Sequence, residues 1–220
     1  DPYVWEENGW WYMVLGSGVD GTGGAALLYK STNLRDWQYL HPLYSGNIDV
    51  SGFYWEMPVF LPIGNGKHIL LITTLESDGP ARELYWVGTW QNEHFIPDHP
   101  EPRQLDVFNW MLAPAAYVSP QDGLPRIMGI VPEQRCPALI ENAGWRHTFS
   151  LPRKLYAASD GTLRQQPAPE LANLREYYLN IENQTLATGI GDETLRPAYG
   201  KMVEIKTEID PQDSAIVGVK

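Results

Sequence analysis

The chain has 220 residues, 43% of them apolar, and its 16 basic and 27 acidic residues give a formal net charge of -11. The apolar content suffices for a sizeable core, and the acidic balance without a Lys/Arg run excludes a surface that tracks nucleic-acid phosphates. No apolar run reaches the roughly 20 residues of a membrane-spanning helix, so we expect neither nucleic acid nor a membrane as partner. A single cysteine, Cys136, excludes an internal disulfide. Compartment and oligomeric state stay open.

Short β-rich runs separated by Gly, Pro, Asn and Asp recur along the chain and predict an all-β fold. The first group of predicted strands is Tyr3–Trp5, Trp10–Leu15, Ala25–Lys30 and Trp37–Leu40. The second group is Trp55–Leu61, His68–Leu75, Glu83–Trp90 and His94–Ile96. The third group is Met111–Val118, Arg126–Val131 and a stretch from Gly144 to Tyr156. Turns are predicted where Asn-Gly or Asp-Gly separates two strands, at Asn8, Asn65 and Asp122.

The three groups repeat at a spacing of about 55 residues, and each opens next to a proline: Pro2, Pro58 and Pro114. Such a period favours the blades of a β-propeller, although a tandem of β-sandwiches would also fit. Three blades do not close a ring, so we expect residues 1–175 to form an incomplete propeller. The pattern changes after residue 175, and we interpret 176–220 as the start of a second β domain.

Several motifs for other chemistries are absent or lack their context. Residues Gly16–Gly21 spell G-x-G-x-x-G, but a predicted strand follows instead of the helix that phosphate binding needs, so we interpret them as a flexible hairpin loop. The five histidines show no metal-ligand spacing, and no cysteine pair accompanies them. We therefore expect neither a cofactor nor a metal.

Two carboxylates remain as candidates for chemistry, because each lies beside a proline at the start of a predicted innermost strand. They are Asp1 and Glu56, both set among aromatic residues. Equivalent positions in successive blades converge on the central pocket of a propeller, and a pair of carboxylates can cleave a glycosidic bond. Asp106 is a third candidate, on the approach to the next innermost strand.

These residues resemble glycoside hydrolase family 32, the invertase, levanase and inulinase group. Asp1-Pro2 is similar to the end of the family's Arg-Asp-Pro motif, and Trp55-Glu56-Met57-Pro58 is similar to its Glu-Cys-Pro motif. Leu112-Ala113-Pro114 resembles the Tyr-Ala-Pro element. The longest match runs from Gly144 to Leu155 and continues through Asp160–Pro167 to Glu170-Leu171, in the order of the family's closing propeller segment.

The resemblance implies a five-bladed propeller followed by a β-sandwich, and cleavage of β-fructosidic bonds with retention of configuration. It implies that Glu56 is the general acid/base and that Asp1 is the transition-state stabiliser. We predict that Trp55, Trp5, Asp106 and Trp110 contact the carbohydrate substrate, which would be of the sucrose, inulin or levan type.

The chain departs from the family pattern in three ways. Met57 replaces the family's Cys, no Arg precedes Asp1, and no Trp-Met-Asn-Asp-Pro-Asn segment, which carries the nucleophile, is present. We therefore expect an N-terminally truncated chain that is inactive by itself, because a retaining mechanism needs its nucleophile. Two alternatives stay open: an inactive carbohydrate-binding propeller, and an arabinan-cleaving glycosidase similar to family 43.

Overall fold

The computed structural model describes residues 1–77, 79–176 and 203–210. The first antiparallel sheet contains β1 (Pro2–Glu7), β2 (Trp10–Val19), β3 (Gly23–Ser31) and β4 (Gln38–Ser45), hydrogen-bonded in that order. A one-turn helix, α1 (Ile48–Ser51), leads to the second sheet. The second sheet orders β5 (Tyr54–Gly64), β6 (Lys67–Leu75), β7 (Arg82–Gln91) and β8 (His94–Pro97), and β9 (Arg103–Gln104) also pairs with β7.

The third sheet orders β10 (Leu112–Val118), β11 (Pro125–Val131), β13 (Arg153–Ala157) and β14 (Leu163–Pro167). Between β11 and β13 the chain forms α2 (Pro137–Ala143) and β12 (Thr148–Phe149), which pairs with β11. A 3₁₀ helix follows at Pro169–Leu174. The helix α2 was not predicted, and it has no buried residue.

The predicted hairpin turns form where the sequence places them, because Asn and Gly tolerate a left-handed backbone. Asn8 and Gly9 have φ values of 53° and 78°, and Asn65 and Gly66 have values of 52° and 69°. These are the positive angles that a tight turn between twisted antiparallel strands requires.

The second sheet is buried on both of its faces. Phe60, Leu70 and Ile72 belong to a cluster shared with Tyr12, Val14 and Leu28 of the first sheet. Their neighbours along the same strands, such as Leu61, Ile69 and Leu71, belong to a cluster shared with Met111, Ile127 and Leu155 of the third sheet. Since successive side chains of a strand point to opposite faces, a strand between two sheets is a continuous apolar run. Consecutive sheets packed face to face in this way are the arrangement of propeller blades.

The chain divides into two compact units, Asp1–Leu174 and Arg175–Lys220. Within the second unit, Arg175 forms an ion pair with Glu204, and residues 203–210 carry no strand. The predicted start of a sandwich domain at 176–220 otherwise lies outside the described residues. Among those that are described, no helix is both long and apolar enough to cross a membrane.

We expect Leu70→Ala to destabilise the fold by about 2–5 kcal/mol, because it opens a cavity at a fully buried position between the first and second sheets. Urea unfolding followed by tryptophan fluorescence measures this change. Ile96→Ala is the control, since Ile96 is 60% exposed and its truncation should cost no more than about 0.5 kcal/mol. Equal losses in the two variants would contradict the proposed burial of the second sheet.

Candidate active site

The first strands of the three sheets lie next to one another, since β5 contacts both β1 and β10. Two of these strands carry the same irregularity. The pairing of β5 shifts between Glu56 and Val59, and the pairing of β10 shifts between Leu112 and Ala115. A bulge of this kind re-aims the side chains around it, and bulges are frequent beside active sites.

Each bulge contains a non-glycine residue with a left-handed backbone directly before a proline. Met57 has a φ of 48° and Ala113 has a φ of 49°. Such backbone costs about 1–3 kcal/mol and persists only where the surroundings hold it. Proline has no N–H to lose from the ladder, which makes it compatible with a bulge. Two of the three Xaa-Pro pairs that mark the sequence repeat thus lie in bulges, whereas the pairing of β1 from Pro2 onward is regular.

Glu56 precedes the first of these bulges and is half-buried at the start of β5. It pairs with Thr73 of β6, which in turn pairs with Glu83 of β7. Residues directly opposite each other on neighbouring strands present their side chains on the same face. The three side chains therefore form one row across the second sheet, called here the Glu56 row.

A glycine of β2 lies between the backbone of Asp1 and the backbone of Glu56. Pro2 pairs with Leu15, so the preceding residue, Asp1, falls opposite Gly16. A Cβ atom on Gly16 would lie 2.3 Å from the carbonyl oxygen of Trp55 and 3.3 Å from the Cα atom of Glu56. Only glycine permits this approach of β2 to β5. Asp1 and Glu56 consequently flank the same point of the fold.

The predicted hairpin loop at Gly16–Gly21 is wrong for its first half. Strand β2 continues to Val19, and only Asp20–Thr22 form the turn. A Cβ atom on Gly18 would lie 2.4 Å from the carbonyl oxygen of Phe53, so this glycine also allows contact with the second sheet. The two glycines serve sheet packing, a role that the motif spelling does not reveal.

Trp55, predicted to contact substrate, is completely buried. Its indole N–H donates a hydrogen bond to the carbonyl oxygen of Ser51 at 2.7 Å, and its ring packs against Tyr44 and Trp86. A ring with no exposed face has none to offer a sugar, so the structure assigns Trp55 to the core. This corrects the prediction for this side chain.

Trp5 is half-buried and packs mainly against other aromatic rings. Its ring centroid lies 5.4 Å from that of Tyr12, 5.3 Å from that of Phe60 and 6.0 Å from that of Trp90. These contacts attach β1 to the first core cluster. They do not favour the predicted contact with substrate.

Asp106 and Trp110 belong to one loop, between β9 and β10. The carboxylate of Asp106 accepts hydrogen bonds from Arg153 at 2.8 Å and from the N–H of Phe108 at 3.1 Å. Partial burial alone would raise the pKa of Asp106, but the hydrogen bonds from Arg153 and the backbone outweigh it and lower that pKa. Asp106 is therefore a charged anchor that fixes the loop to β13.

The same loop presents two exposed aromatic rings. Phe108 and Trp110 are 67% and 50% exposed, and their ring centroids lie 5.0 Å apart at an interplanar angle of 30°. Between them, Asn109 donates to the carbonyl oxygen of Ala81 at 2.6 Å and accepts from the N–H of Glu83 at 3.1 Å. This amide ties the aromatic pair to the end of β7 that holds the Glu56 row. Phe108 was not predicted as a site residue.

Glu83 is the residue that sequence reasoning missed. It is fully buried, and one carboxyl oxygen accepts a hydrogen bond from the Thr73 hydroxyl at 2.6 Å. Burial raises its pKa to about 8, although the Thr73 hydroxyl and the backbone N–H of Ala113 act in the opposite direction. The sequence signal is a glutamate inside an otherwise apolar strand. Among the described residues, no group of three or more His, Cys, Asp and Glu side chains could hold a metal ion.

The arrangement defines the class of protein: part of a β-propeller, in which the first strands of successive blades lie next to one another. A model of the N-terminal domain of glycosyl hydrolases family 32 matches residues 1–167, and the chain belongs to that family. The predicted resemblance and the predicted fold class, an all-β chain containing part of a propeller, are thereby confirmed.

Relatives of known identity agree with this assignment. Sucrose-6-phosphate hydrolase of Bacillus subtilis is 31% identical over 193 residues, covering 82% of this chain and 40% of that protein. The corresponding enzyme of Escherichia coli is 28% identical over 194 residues, covering 85% of this chain and 40% of that protein. The chain thus spans about 40% of the length of these relatives.

Solved structures give the same result. A β-fructofuranosidase of Bombyx mori in complex with sucrose superposes with a TM-score of 0.70 at 26% identity, covering 82% of this chain and 39% of that one. Fructan 1-exohydrolase IIa of Cichorium intybus, in complex with 1-kestose, has a TM-score of 0.69 at 23% identity, covering 84% and 38%. Because the identity to the Cichorium intybus enzyme is so low, its similarity supports only the shared fold.

We expect the stability of the 220-residue chain to fall as the pH rises from about 4.5 to about 8, through Glu83. Its pKa is raised in the folded state, so the fold holds a proton that the unfolded chain releases above pH 4.5. Each unit of that difference corresponds to about 1.4 kcal/mol. Glu83→Gln should remove this part of the pH dependence in thermal unfolding. An unchanged slope between pH 5 and pH 8 in the variant would contradict the raised pKa.

Proposed function

We propose that the protein hydrolyses β-fructosidic bonds of sucrose or fructan substrates with retention of configuration. Membership of the family supports this proposal, and so do the names of its relatives, which include sucrose-6-phosphate hydrolases, a raffinose invertase and a β-fructofuranosidase. The observation that supports it most directly is the close approach of β2 to β5 at Gly16, which adjoins Glu56 and follows the residue paired with Pro2.

In the proposed mechanism, Glu56 protonates the glycosidic oxygen as the bond breaks and later removes a proton from water. Glu56 directly precedes the bulge at Met57 and is half-buried at the start of β5, which suits a general acid. Asp1 is exposed and accepts hydrogen bonds from fructose hydroxyl groups, which strengthen as positive charge develops on the ring. The nucleophile of a retaining mechanism is assigned to none of the 220 residues.

The aromatic pair Phe108 and Trp110 extends the proposed site. Flat apolar rings pack against the C–H faces of sugars, and these two are presented together beside the Glu56 row. We assign them to the sugar that is held next to the cleaved bond. Asp106 acts indirectly, because its carboxylate is committed to Arg153 and the loop backbone.

We predict that Glu56→Gln lowers kcat for sucrose by about 10²–10⁴-fold, the range expected for loss of a general acid, without unfolding the protein. The assay uses the protein as its gene encodes it, and measures glucose released from sucrose. Glu6→Gln is a matched control, since Glu6 is an exposed glutamate of β1. Turnover near the wild-type rate in Glu56→Gln would remove Glu56 from the mechanism.

A substrate panel separates the proposed function from its two alternatives. Sucrose, sucrose 6-phosphate, inulin, levan and arabinan are tested with the wild-type protein, together with calorimetric binding of fructose. Release of fructose from any β-fructoside supports the proposal. Cleavage of arabinan alone would favour the arabinan-cleaving alternative, and sugar binding without turnover would favour the inactive carbohydrate-binding propeller.

We predict that Trp110→Ala raises KM for sucrose about two- to tenfold, because an aromatic contact contributes about 0.5–1.5 kcal/mol. Initial rates over a range of sucrose concentrations measure the change. Trp10→Ala is the control: this tryptophan is 41% exposed and pairs with Glu7, at the opposite end of β1 from Asp1. A KM that is unchanged in Trp110→Ala, or equally raised in both variants, would argue against a sugar subsite at the aromatic pair.

A further inference from the structure

The Glu56 row continues behind the proposed acid/base into the interior of the second sheet. Thr73 stands beside Glu56 in the strand pairing, and Glu83 stands beside Thr73. The exposure of the side chains falls along the row, from half-buried at Glu56 to 5% at Thr73 and 0% at Glu83. A buried carboxyl group therefore lies two strands behind the one assigned to catalysis.

Thr73 joins this buried carboxyl group to the third sheet. Its hydroxyl donates to Glu83 at 2.6 Å and accepts a hydrogen bond from the backbone N–H of Ala113 at 2.9 Å. Ala113 is the left-handed residue of the β10 bulge. The contact thus links the bulge of the third sheet to the residue that adjoins Glu56. It supplies a partner for a backbone N–H that the irregular pairing leaves available.

Glu83 is fixed on its other side by the loop that carries the aromatic pair. The side-chain oxygen of Asn109 accepts a hydrogen bond from the backbone N–H of Glu83, and the side-chain nitrogen of Asn109 donates one to the carbonyl oxygen of Ala81. The neighbouring charge, Arg82, is directed away, since its guanidinium binds Glu76 and the carbonyl oxygen of Val50. The second carboxyl oxygen of Glu83 is buried without a hydrogen-bond partner among the described residues.

Burial favours the uncharged form of a carboxyl group in this setting. Water is excluded, the adjoining cation is engaged elsewhere, and burial raises the pKa of Glu83 to about 8. The neutral acid still accepts the hydrogen bond from the Thr73 hydroxyl through its unprotonated oxygen. A buried acid kept neutral in this way is common where side chains are held for chemistry.

We propose that Glu83 is a positioning residue for Glu56: its buried carboxyl group holds the Thr73 hydroxyl, and through it the Ala113 bulge, so that Glu56 stays aligned with the glycosidic oxygen. The inference rests on the proposed function, because it assigns Glu56 the role of general acid. Glu83 itself does not touch the substrate. Its loss should therefore impair the proton transfer that Glu56 performs more than it impairs binding of the sugar.

Leaving-group dependence tests this role in the protein as its gene encodes it. The substrates are sucrose, whose glucose leaving group needs protonation, and 4-nitrophenyl β-fructofuranoside, whose leaving group departs without it. Glu83→Leu should lower kcat for sucrose by about tenfold or more, and kcat for the aryl substrate by less than about threefold. Glu83→Gln keeps a neutral hydrogen-bonding group and should retain sucrose turnover within about threefold.

A threonine pair supplies the matched control. Thr73→Val removes the hydroxyl inside the row and should behave as Glu83→Leu does. Thr74→Val removes an equally buried hydroxyl from the opposite face of β6, where it contacts Glu76 and the N–H of Arg82. This control should retain the wild-type ratio between the two substrates. Circular dichroism and thermal midpoints establish that each variant is folded before its kinetics are compared.

The outcomes separate the inference from the function on which it rests. Equal losses on both substrates in Glu83→Leu, or no loss on either, would overturn the positioning role while leaving the β-fructosidase proposal intact. A wild-type protein that cleaves neither substrate would overturn both. A ¹³C carboxyl titration of the 220-residue chain needs no turnover: the Glu83 signal should stay that of a neutral acid up to about pH 7. Ionisation near pH 4.5 would refute the uncharged acid.

Discussion

Both faces of the second sheet are buried, and this burial determines how the first and third sheets pack against it. Its strands β5 and β6 send alternate side chains into two separate cores, one shared with the first sheet and one shared with the third. This double packing fixes the first strands of all three sheets against one another. Strands that begin about 55 residues apart in the chain thereby lie next to one another, which is the arrangement that the proposed pair of carboxylates requires.

Two residues with strained backbone lie in these first strands. Met57 and Ala113 adopt left-handed angles, and Gly16 admits the backbone of β5 at a distance that no side chain would tolerate. The surrounding sheets supply the stabilisation that holds such irregularities in place. The bulge at Met57 directly follows Glu56, and the N–H of Ala113 in the other bulge donates a hydrogen bond to Thr73. The strained backbone and the hydrogen bonds around it are therefore connected, and Glu83 is the most deeply buried member of this group.

Much of the fold could be predicted from the sequence, because strand periodicity and Asn-Gly turns are local signals. The third sheet was less predictable, because the segment from Val131 to Thr148 contains the exposed helix α2. This helix buries no residue, so no apolar periodicity in the sequence predicts it. The candidate acids followed from their position beside prolines. Trp55 and Glu83 were misjudged or missed for one reason, since burial depends on which sheet covers a strand, and the sequence of that strand does not state it.

The proposed function requires that Glu56 faces a sugar held where the first strands meet. A crystal structure of the Glu56→Gln variant, produced as the gene encodes the protein and soaked with sucrose, would show this arrangement. We expect density for the sugar between Asp1 and position 56, with the glycosidic oxygen within about 3.5 Å of the substituted side chain. Sucrose bound elsewhere on the molecule, with position 56 turned away from it, would refute the role of Glu56.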